Sequence, residues 1–213
     1  HKERAAAALD RPSEAVRATG ACNCFWGTDD GELAGDNTDV AGFLAAVSEL
    51  VPGERDGLED LEILLLGAGG AARAVLHACL RAGAGRVDLL NRTRGRAEAV
   101  AREVGSDDGR VRVTGDRSEA ASRYGLVVNA TSLGVDESDP LPLDLAELEV
   151  RAAFDLVYGA EGTAWVRHAR RLGIPARDGL EMLVRQAAAS QERWLGRSAS
   201  LDVLRRAAAH GDG

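Results

Sequence analysis

Ile63-Leu64-Leu65-Leu66-Gly67-Ala68-Gly69-Gly70-Ala71-Ala72-Arg73-Ala74 runs from an apolar strand, through a glycine turn, into a helix. Four apolar residues in a row suit a parallel strand buried on both faces. The spacing Gly67-x-Gly69-x-x-Ala72 fits the dinucleotide-binding fingerprint in its variant ending on alanine. Gly67 permits the tight turn, Gly69 lets the backbone approach a pyrophosphate, and Ala72 lets the helix pack close to the sheet. The first free amides of that helix, residues 70–81, favour an anionic group together with its dipole.

Outward from this unit the chain alternates. Strands are expected at 63–66, 87–90, 111–113, 126–129 and 153–157, with a short one near 174–176. Helices fit at 70–81, 94–104, 118–122 and 163–172. That alternation implies an α/β protein with a doubly wound parallel sheet. After Asp178 the pattern turns to helix only, at 179–195 and 198–209. Upstream, residues 2–9 read as a helix ended by Asp10-Arg11-Pro12, followed by a short helix at 13–19. A strand at 21–26, a turn at Asp29-Asp30-Gly31 and a returning segment at 33–37 read as a hairpin. A helix over 40–50 follows, with Thr38 or Asp39 as its N-cap. Residues 106–109 and 136–142 are expected to be polar loops.

Composition narrows the function classes. At 213 residues the chain can bury a real core. A net charge of −8 argues against a nucleic-acid surface. No apolar run approaches the ~20 residues of a membrane span, and no secretory signal is read. Three cysteines, Cys22, Cys24 and Cys79, form no disulfide framework, so a reducing cytoplasm is expected. Cys22-x-Cys24 lacks a second ligand pair, and His77 and His168 have no partner at metal spacing; no metal is expected. Of the 26 basic residues only Lys2 is a lysine.

The end of the second strand distinguishes the two nicotinamide cofactors. An acid there binds the ribose 2′-hydroxyl, whereas a neutral residue with arginines accommodates a 2′-phosphate. The chain offers Asn91-Arg92-Thr93-Arg94-Gly95-Arg96, with no acid. Arginines suit a phosphate through charge-assisted bonds, and cations at a helix start are unfavourable unless an anion joins them. NADP is therefore expected over NAD.

Six motifs now combine in order: Gly35-x-Asn37-Thr38-Asp39-x-x-Gly42-Phe43, Gly67-Ala68-Gly69-Gly70-Ala71, Asn91-Arg92-Thr93, Asn129-Ala130-Thr131-Ser132-x-Gly134, Asp155-x-Val157-Tyr158 and Gly179-x-x-Met182-Leu183-x-x-Gln186-Ala187. With them the chain resembles the shikimate dehydrogenase family (the shikimate/quinate dehydrogenases). Asn-Arg-Thr alone is shared with glutamyl-tRNA reductases; the acidic charge and the lack of a nucleophilic cysteine site disfavour that alternative.

The resemblance implies a two-domain cytoplasmic enzyme that reduces 3-dehydroshikimate to shikimate with NADPH, reversibly, in aromatic amino-acid biosynthesis. It implies a Rossmann NADP domain at 40–178, part of an α/β substrate domain at 1–39, and C-terminal helices at 179–213 returning to that domain. His1-Lys2 would fall at the end of the family's Pro-x-Lys motif, which makes Lys2 the catalytic lysine, with Asp39 as its carboxylate partner and a substrate contact. Asn23, Tyr158 and Gln186 would complete the substrate contacts. Gly67, Ala68, Gly69, Gly70, Ala71, Asn91, Arg92, Thr93 and Arg96 would hold the cofactor. Asn129, Thr131, Ser132 and Val157 would line its cleft, with Gly179 and Met182 against the nicotinamide. The partner would be a small molecule, and the protein a monomer or homodimer.

The family pattern opens with a further strand-helix stretch that carries a Ser-x-Ser motif for the substrate carboxylate. That stretch is not in this sequence, so the chain is expected to lack the N-terminal part of the substrate domain. Cys24 replaces a threonine, and Gly159-Ala160-Glu161-Gly162-Thr163-Ala164 replaces a Pro-rich turn. The alternatives are a non-catalytic nucleotide-binding or regulatory relative, or a quinate- or NAD-preferring paralogue.

The chemistry needs a lysine. Interconverting a ketone and a secondary alcohol takes a hydride carrier and a proton shuttle at the oxygen. An ammonium can give that proton and take it back, which a guanidinium cannot. Asp39 would orient it, or serve as a helix cap.

Overall fold

The computed structural model describes residues 1–51, 58–105, 109–159, 161–197 and 199–210. The chain opens with helix α1 (Lys2–Ala7), strand β1 (Arg11–Pro12) and helix α2 (Glu14–Thr19). The hairpin β2 (Cys24–Gly27) and β3 (Leu33–Asp36) follows, then helix α3 (Thr38–Ser48). These strands make a small sheet, β1-β3-β2, with β1 parallel and β2 antiparallel to β3. Ser13 starts α2 as its N-cap, its Oγ accepting from the Val16 amide at 3.2 Å.

The alternating part runs β4 (Glu62–Leu66), α4 (Gly70–Arg81), β5 (Arg86–Leu90), α5 (Arg94–Val104), β6 (Val111–Thr114), β7 (Arg123–Tyr124) and β8 (Leu126–Asn129). It continues with β9 (Glu149–Val150), β10 (Ala153–Asp155), α6 (Ala164–Arg171), β11 (Ala176–Arg177), α7 (Leu180–Leu195) and α8 (Leu201–His210). Six of these strands form one parallel sheet in the order β11-β10-β8-β4-β5-β6. The chain thus winds outward from β4 to β6, returns across the sheet to β8 and winds out the other way. The order reverses between β4 and β8, where open α/β sheets bind their ligands beyond the strand ends.

The apolar run of β4 has a two-sided use. Ile63 and Leu65 join the core shared with α3, α4 and α5, while Leu64 and Leu66 join the opposite core around Tyr124, Trp165 and Val166. A strand buried on both faces cannot alternate apolar with polar residues, so its sequence reads as an unbroken hydrophobic stretch. Phe43 of α3 meets Phe154 of β10 edge-on, ring centres 5.5 Å apart, a contact worth about 1 kcal/mol beyond its area. Helix α3 also packs along α7, and Gly42 permits it: a Cβ there would come within 2.9 Å of the Met182 carbonyl and 3.0 Å of Gln186 Cβ.

Four expectations need correcting. Residues 118–122 are not an α-helix; a 3-10 turn at Arg117–Glu119 precedes β7, which pairs with β9. Arg11 and Pro12 do more than end a helix, since they form β1. Neither Thr38 nor Asp39 is an N-cap: both are helical, Asn37 holds that position, and their side chains are spent elsewhere. The strand expected over 153–157 stops at Asp155. Ser106, Asp107 and Asp108 of the expected polar loop, Ala160 and Ser198 lie outside the described residues.

Candidate active site

Asp39 sits in the first turn of α3 with each carboxylate oxygen engaged. Oδ2 accepts from Lys2 Nζ at 2.5 Å, and Oδ1 accepts from Asn23 Nδ2 at 2.8 Å. Asn23, just before β2, also donates from Nδ2 to Gln186 Oε1 of α7 at 2.9 Å. Its Oδ1 takes the Thr38 amide at 2.9 Å and the Thr38 hydroxyl at 3.2 Å. The amide of Cys22 donates to the Lys2 carbonyl at 3.0 Å, tying the start of α1 to the segment that carries Asn23. Four distant stretches thus converge on one polar cluster. Asn37 makes no side-chain cap on α3, and the helix dipole further favours the Asp39 carboxylate in the first turn.

The lysine stem connects this cluster to the glycine turn. A Cβ placed on Gly70 would lie 3.4 Å from Lys2 Cδ, so the lysine runs alongside the first residue of α4. Gly67 takes φ +110°, and a Cβ there would stand 2.7 Å from the Ala130 carbonyl. Only glycine suits both conditions. Gly69, the N-cap of α4, has nothing within 4 Å of an added Cβ and brings no side-chain cap. The turn is open where an anion would approach the free amides of Gly70 and Ala71. Ala68 and Ala72 are buried, the latter fully, as close helix-to-sheet packing requires.

At the end of β5, Asn91 is half-buried and donates to the Thr93 carbonyl at 2.9 Å, shaping the loop. Arg92, Thr93 and Arg96 are exposed at the start of α5, whose N-cap, Thr93, makes no side-chain cap. Arg94 is taken by Glu98 and Glu119, whereas Arg92 and Arg96 have no ion-pair partner among the described residues. Two unneutralised guanidiniums beside a helix N-terminus fit a phosphate group.

The side of the cleft beyond β8 is built by a buried polar knot. Asn129 is fully buried and donates to Asp155 Oδ1 at 2.8 Å and to the Leu133 carbonyl at 3.1 Å. Its Oδ1 accepts from the Thr131 amide and hydroxyl at 3.0 and 2.7 Å. Asn129 therefore shapes the loop bearing Thr131, half-buried, and Ser132, exposed. Asp155 accepts from the Thr163 hydroxyl at 2.6 Å and the Val157 amide at 3.1 Å. Burial pushes its carboxyl above the usual range despite these bonds. The Gly179 amide donates to the Val157 carbonyl at 3.0 Å, and a Cβ on Gly179 would collide with the Leu156 carbonyl. Met182 is buried in the core with Val40 and Phe43. Tyr158 is about half exposed and makes no hydrogen bond among the described residues. The structure thus brings Lys2, Asn23, Asp39 and Gln186 together and leaves Tyr158 outside that cluster.

Arg73 plays a part that the sequence reading missed. Its guanidinium, mostly buried, contacts Glu3 of α1 at 3.6 Å, Glu103 of α5 at 2.5 Å and the Thr19 carbonyl at 3.3 Å. It clasps the helix bearing Lys2 to the helix that follows the glycine turn. A groove of about 870 Å³ between α2, α3 and α7 shares Thr38 with this site; its Asp36 and Arg193 neutralise each other. Among the described residues no cluster of His, Cys, Asp or Glu could hold a metal, and no helix is long and apolar enough to cross a membrane.

Known families match this arrangement. The description "Shikimate / quinate 5-dehydrogenase" fits residues 49–134, and "Shikimate 5'-dehydrogenase C-terminal domain" fits 179–209. A shikimate dehydrogenase (NADP(+)) of Brucella ovis is 43% identical over 202 residues, 92% of this chain and 68% of that protein. The chain belongs to the shikimate dehydrogenase family. Another shikimate dehydrogenase (NADP(+)), from Rubrobacter xylanophilus, is 42% identical and covers 97% of this chain and 73% of its own length. The Thermus thermophilus shikimate 5-dehydrogenase, solved with NADP(H) and shikimate, superposes with a TM-score of 0.81 at 36% identity, covering 97% of this chain and 74% of that one. A quinate dehydrogenase from Corynebacterium glutamicum, solved with NAD, reaches 0.82 at 27% identity over 96% and 73%. The two relatives are NADP(+) enzymes and the Thermus thermophilus neighbour was solved with NADP(H) on a Rossmann-type sheet, in agreement with the fold and cofactor read from the sequence.

Proposed function

We propose that this chain reduces 3-dehydroshikimate to shikimate with NADPH, reversibly, and that Lys2 is its proton shuttle. The observation that carries the reading is the Lys2–Asp39–Asn23–Gln186 cluster set beside Gly70, at the start of the nucleotide-binding helix. NADPH, when bound, supplies a hydride to the carbonyl carbon. The Lys2 ammonium gives a proton to the carbonyl oxygen as charge builds there, and the resulting amine is reprotonated from water. Asp39 balances the ammonium and holds it in place. Asn23 and Gln186 exchange their mutual hydrogen bond for bonds to substrate hydroxyls, with Tyr158 closing over the substrate from the strand-end side.

Gly67 to Ala71 would cradle the pyrophosphate, with Asn91, Arg92, Thr93 and Arg96 at the 2′-phosphate. Thr131, Ser132, Val157, Gly179 and Met182 would flank the nicotinamide half, on a loop that Asn129 shapes. Residues 1–39 then act as part of the substrate domain, 40–178 as the NADP domain and 179–213 as helices returning to the substrate side. The setting is the cytoplasm, as a monomer or homodimer. A coupled assay of both nicotinamide cofactors against shikimate and quinate tests this. Turnover of shikimate with NADP in clear excess over the other three pairings is expected; a preference for quinate or NAD would refute it.

A further inference from the structure

Arg73 stands where the two halves of the site meet. Its side chain keeps 11% of its surface exposed, and a charge so withdrawn from water needs fixed partners. Nη2 lies 2.5 Å from Glu103 Oε2 on α5, and Nη1 donates to the Thr19 carbonyl at 3.3 Å. Thr19 is the last residue of α2, where the helix dipole leaves negative charge on free carbonyls. Gly20 then turns the chain at φ +63°, and Ala21, Cys22 and Asn23 follow directly. On its other side, Arg73 Nε lies 3.6 Å from Glu3 Oε1. Lys2 therefore meets Gly70 while its neighbour Glu3 meets Arg73, one turn further along α4. With Glu3 largely exposed, that pair is weak alone, but Glu103 and Thr19 already fix the guanidinium on which Glu3 docks. We propose that Arg73 is a positioning residue for proton transfer: from the first turn of α4 it holds the pieces that carry Lys2 and Asn23, so that the Lys2 ammonium keeps its place beside the glycine turn.

A second observation supports this. The Cys22 amide donates to the Lys2 carbonyl at 3.0 Å, so the two pieces that Arg73 touches are also tied to each other. Asp39 fixes the ammonium from α3; Arg73 fixes the backbone that carries it, from α4. The inference deepens the proposed function and rests on it for its catalytic consequence; the docking of α1 on α4 is a property of the free protein.

The test uses Arg73→Met, which keeps an apolar stem and removes the guanidinium, and Glu103→Ala, an exposed change on α5, with melting temperatures to confirm folding. At saturating NADPH, Arg73→Met should lower kcat for 3-dehydroshikimate roughly 10- to 100-fold, the cost of a misplaced proton donor. Glu103→Ala should lower it about 2- to 5-fold, the weight of one exposed ion pair. The dissociation constant for NADPH should hold in both, because no Arg73 atom lies within 4 Å of a Cβ on Gly69, where the turn is open. Unchanged kcat in Arg73→Met, or a matching rise in the NADPH dissociation constant, would overturn the proposal. Should Arg73→Met not fold, unchanged kcat in Glu103→Ala would do the same. Lys2 is the one lysine of the sequence, so ¹⁵N-lysine labelling reports its ammonium without ligand, and loss of the signal in Lys2→Arg assigns it. In Arg73→Met that signal should shift and exchange faster with water. An unmoved signal would overturn the proposal even in an impaired enzyme, and a moved one would support it even if the wild type turned over no shikimate.

Discussion

Lys2 Nζ lies 2.5 Å from Asp39 Oδ2, although 37 positions separate the two residues in the chain. The two partners differ in burial: the Lys2 side chain keeps 39% of its surface exposed and the Asp39 side chain 6%. That asymmetry suits a shuttle. The carboxylate stays inside as a fixed counter-charge, while the amine keeps contact with the water from which it must recover its proton.

Asp39→Asn should lower kcat far more than stability. An asparagine presents one acceptor to two donors, Lys2 and Asn23, so one of them loses its partner, and the ammonium loses its counter-charge. A fall of roughly 10- to 100-fold in kcat is expected, with a melting temperature close to wild type because residue 39 remains in the first turn of α3. Steady-state kinetics beside thermal melts check both halves.

Replacing both Arg92 and Arg96 by glutamine should erase the preference for NADP. Each charge-assisted bond to the 2′-phosphate is worth about 1.5–3 kcal/mol, so affinity for NADP should fall roughly 100-fold or more while that for NAD stays put. Titration of each cofactor by calorimetry measures the ratio; equal losses for both would place the phosphate elsewhere.

Gly67 and Gly69 should respond differently to alanine. At Gly67 the positive φ and the Ala130 carbonyl make a Cβ strain the fold, costing about 1–3 kcal/mol. At Gly69 the backbone is extended and the space open, so the fold should tolerate Gly69→Ala. NADPH binding alone should weaken there, because the methyl occupies the pyrophosphate approach. Melting curves with and without NADPH separate the two.

Acid stability should depend on Asp88, fully buried in β5. Burial pushes its carboxyl up, but the bidentate Arg112 and the Tyr124 hydroxyl outweigh that and hold it below the usual range. A carboxyl whose folded value is depressed adds stability above its unfolded value, and that stability is lost as pH falls through the folded value. Asp88→Asn should therefore cost about 3 kcal/mol near pH 7, and the gap to wild type should narrow below about pH 4. Denaturant titrations at the two pH values read this directly.

The strands β4 and β8 and the helix α4 were legible residue by residue or nearly so, because two-sided burial and a glycine turn leave a local signature. The two-residue strands were not. Glu149 and Val150 pair only because Arg123 and Tyr124 lie beside them, and nothing in either dipeptide announces it. Ala120 and Ala121 favour a helix, yet the Ala121 amide donates to the Tyr124 hydroxyl instead. Thr38 and Asp39 looked like caps because their side chains commonly bond the nearby backbone; here Asn23, Ser190 and Lys2 take them. The site shows the same limit. Lys2 and Asp39 could be named from motifs, but the pairing of Asn23 with Gln186 spans 163 positions, and the Arg73 clasp has no sequence mark at all.

The most direct test of the shuttle is Lys2→Arg. Arginine keeps the charge and the means to pair with Asp39 but cannot release a proton near neutral pH. Measured as 3-dehydroshikimate reduction at saturating NADPH, kcat should fall by roughly 10²–10⁴ with the dissociation constant for NADPH unchanged. A Lys2→Arg protein that reduces its substrate at the wild-type rate would contradict the account.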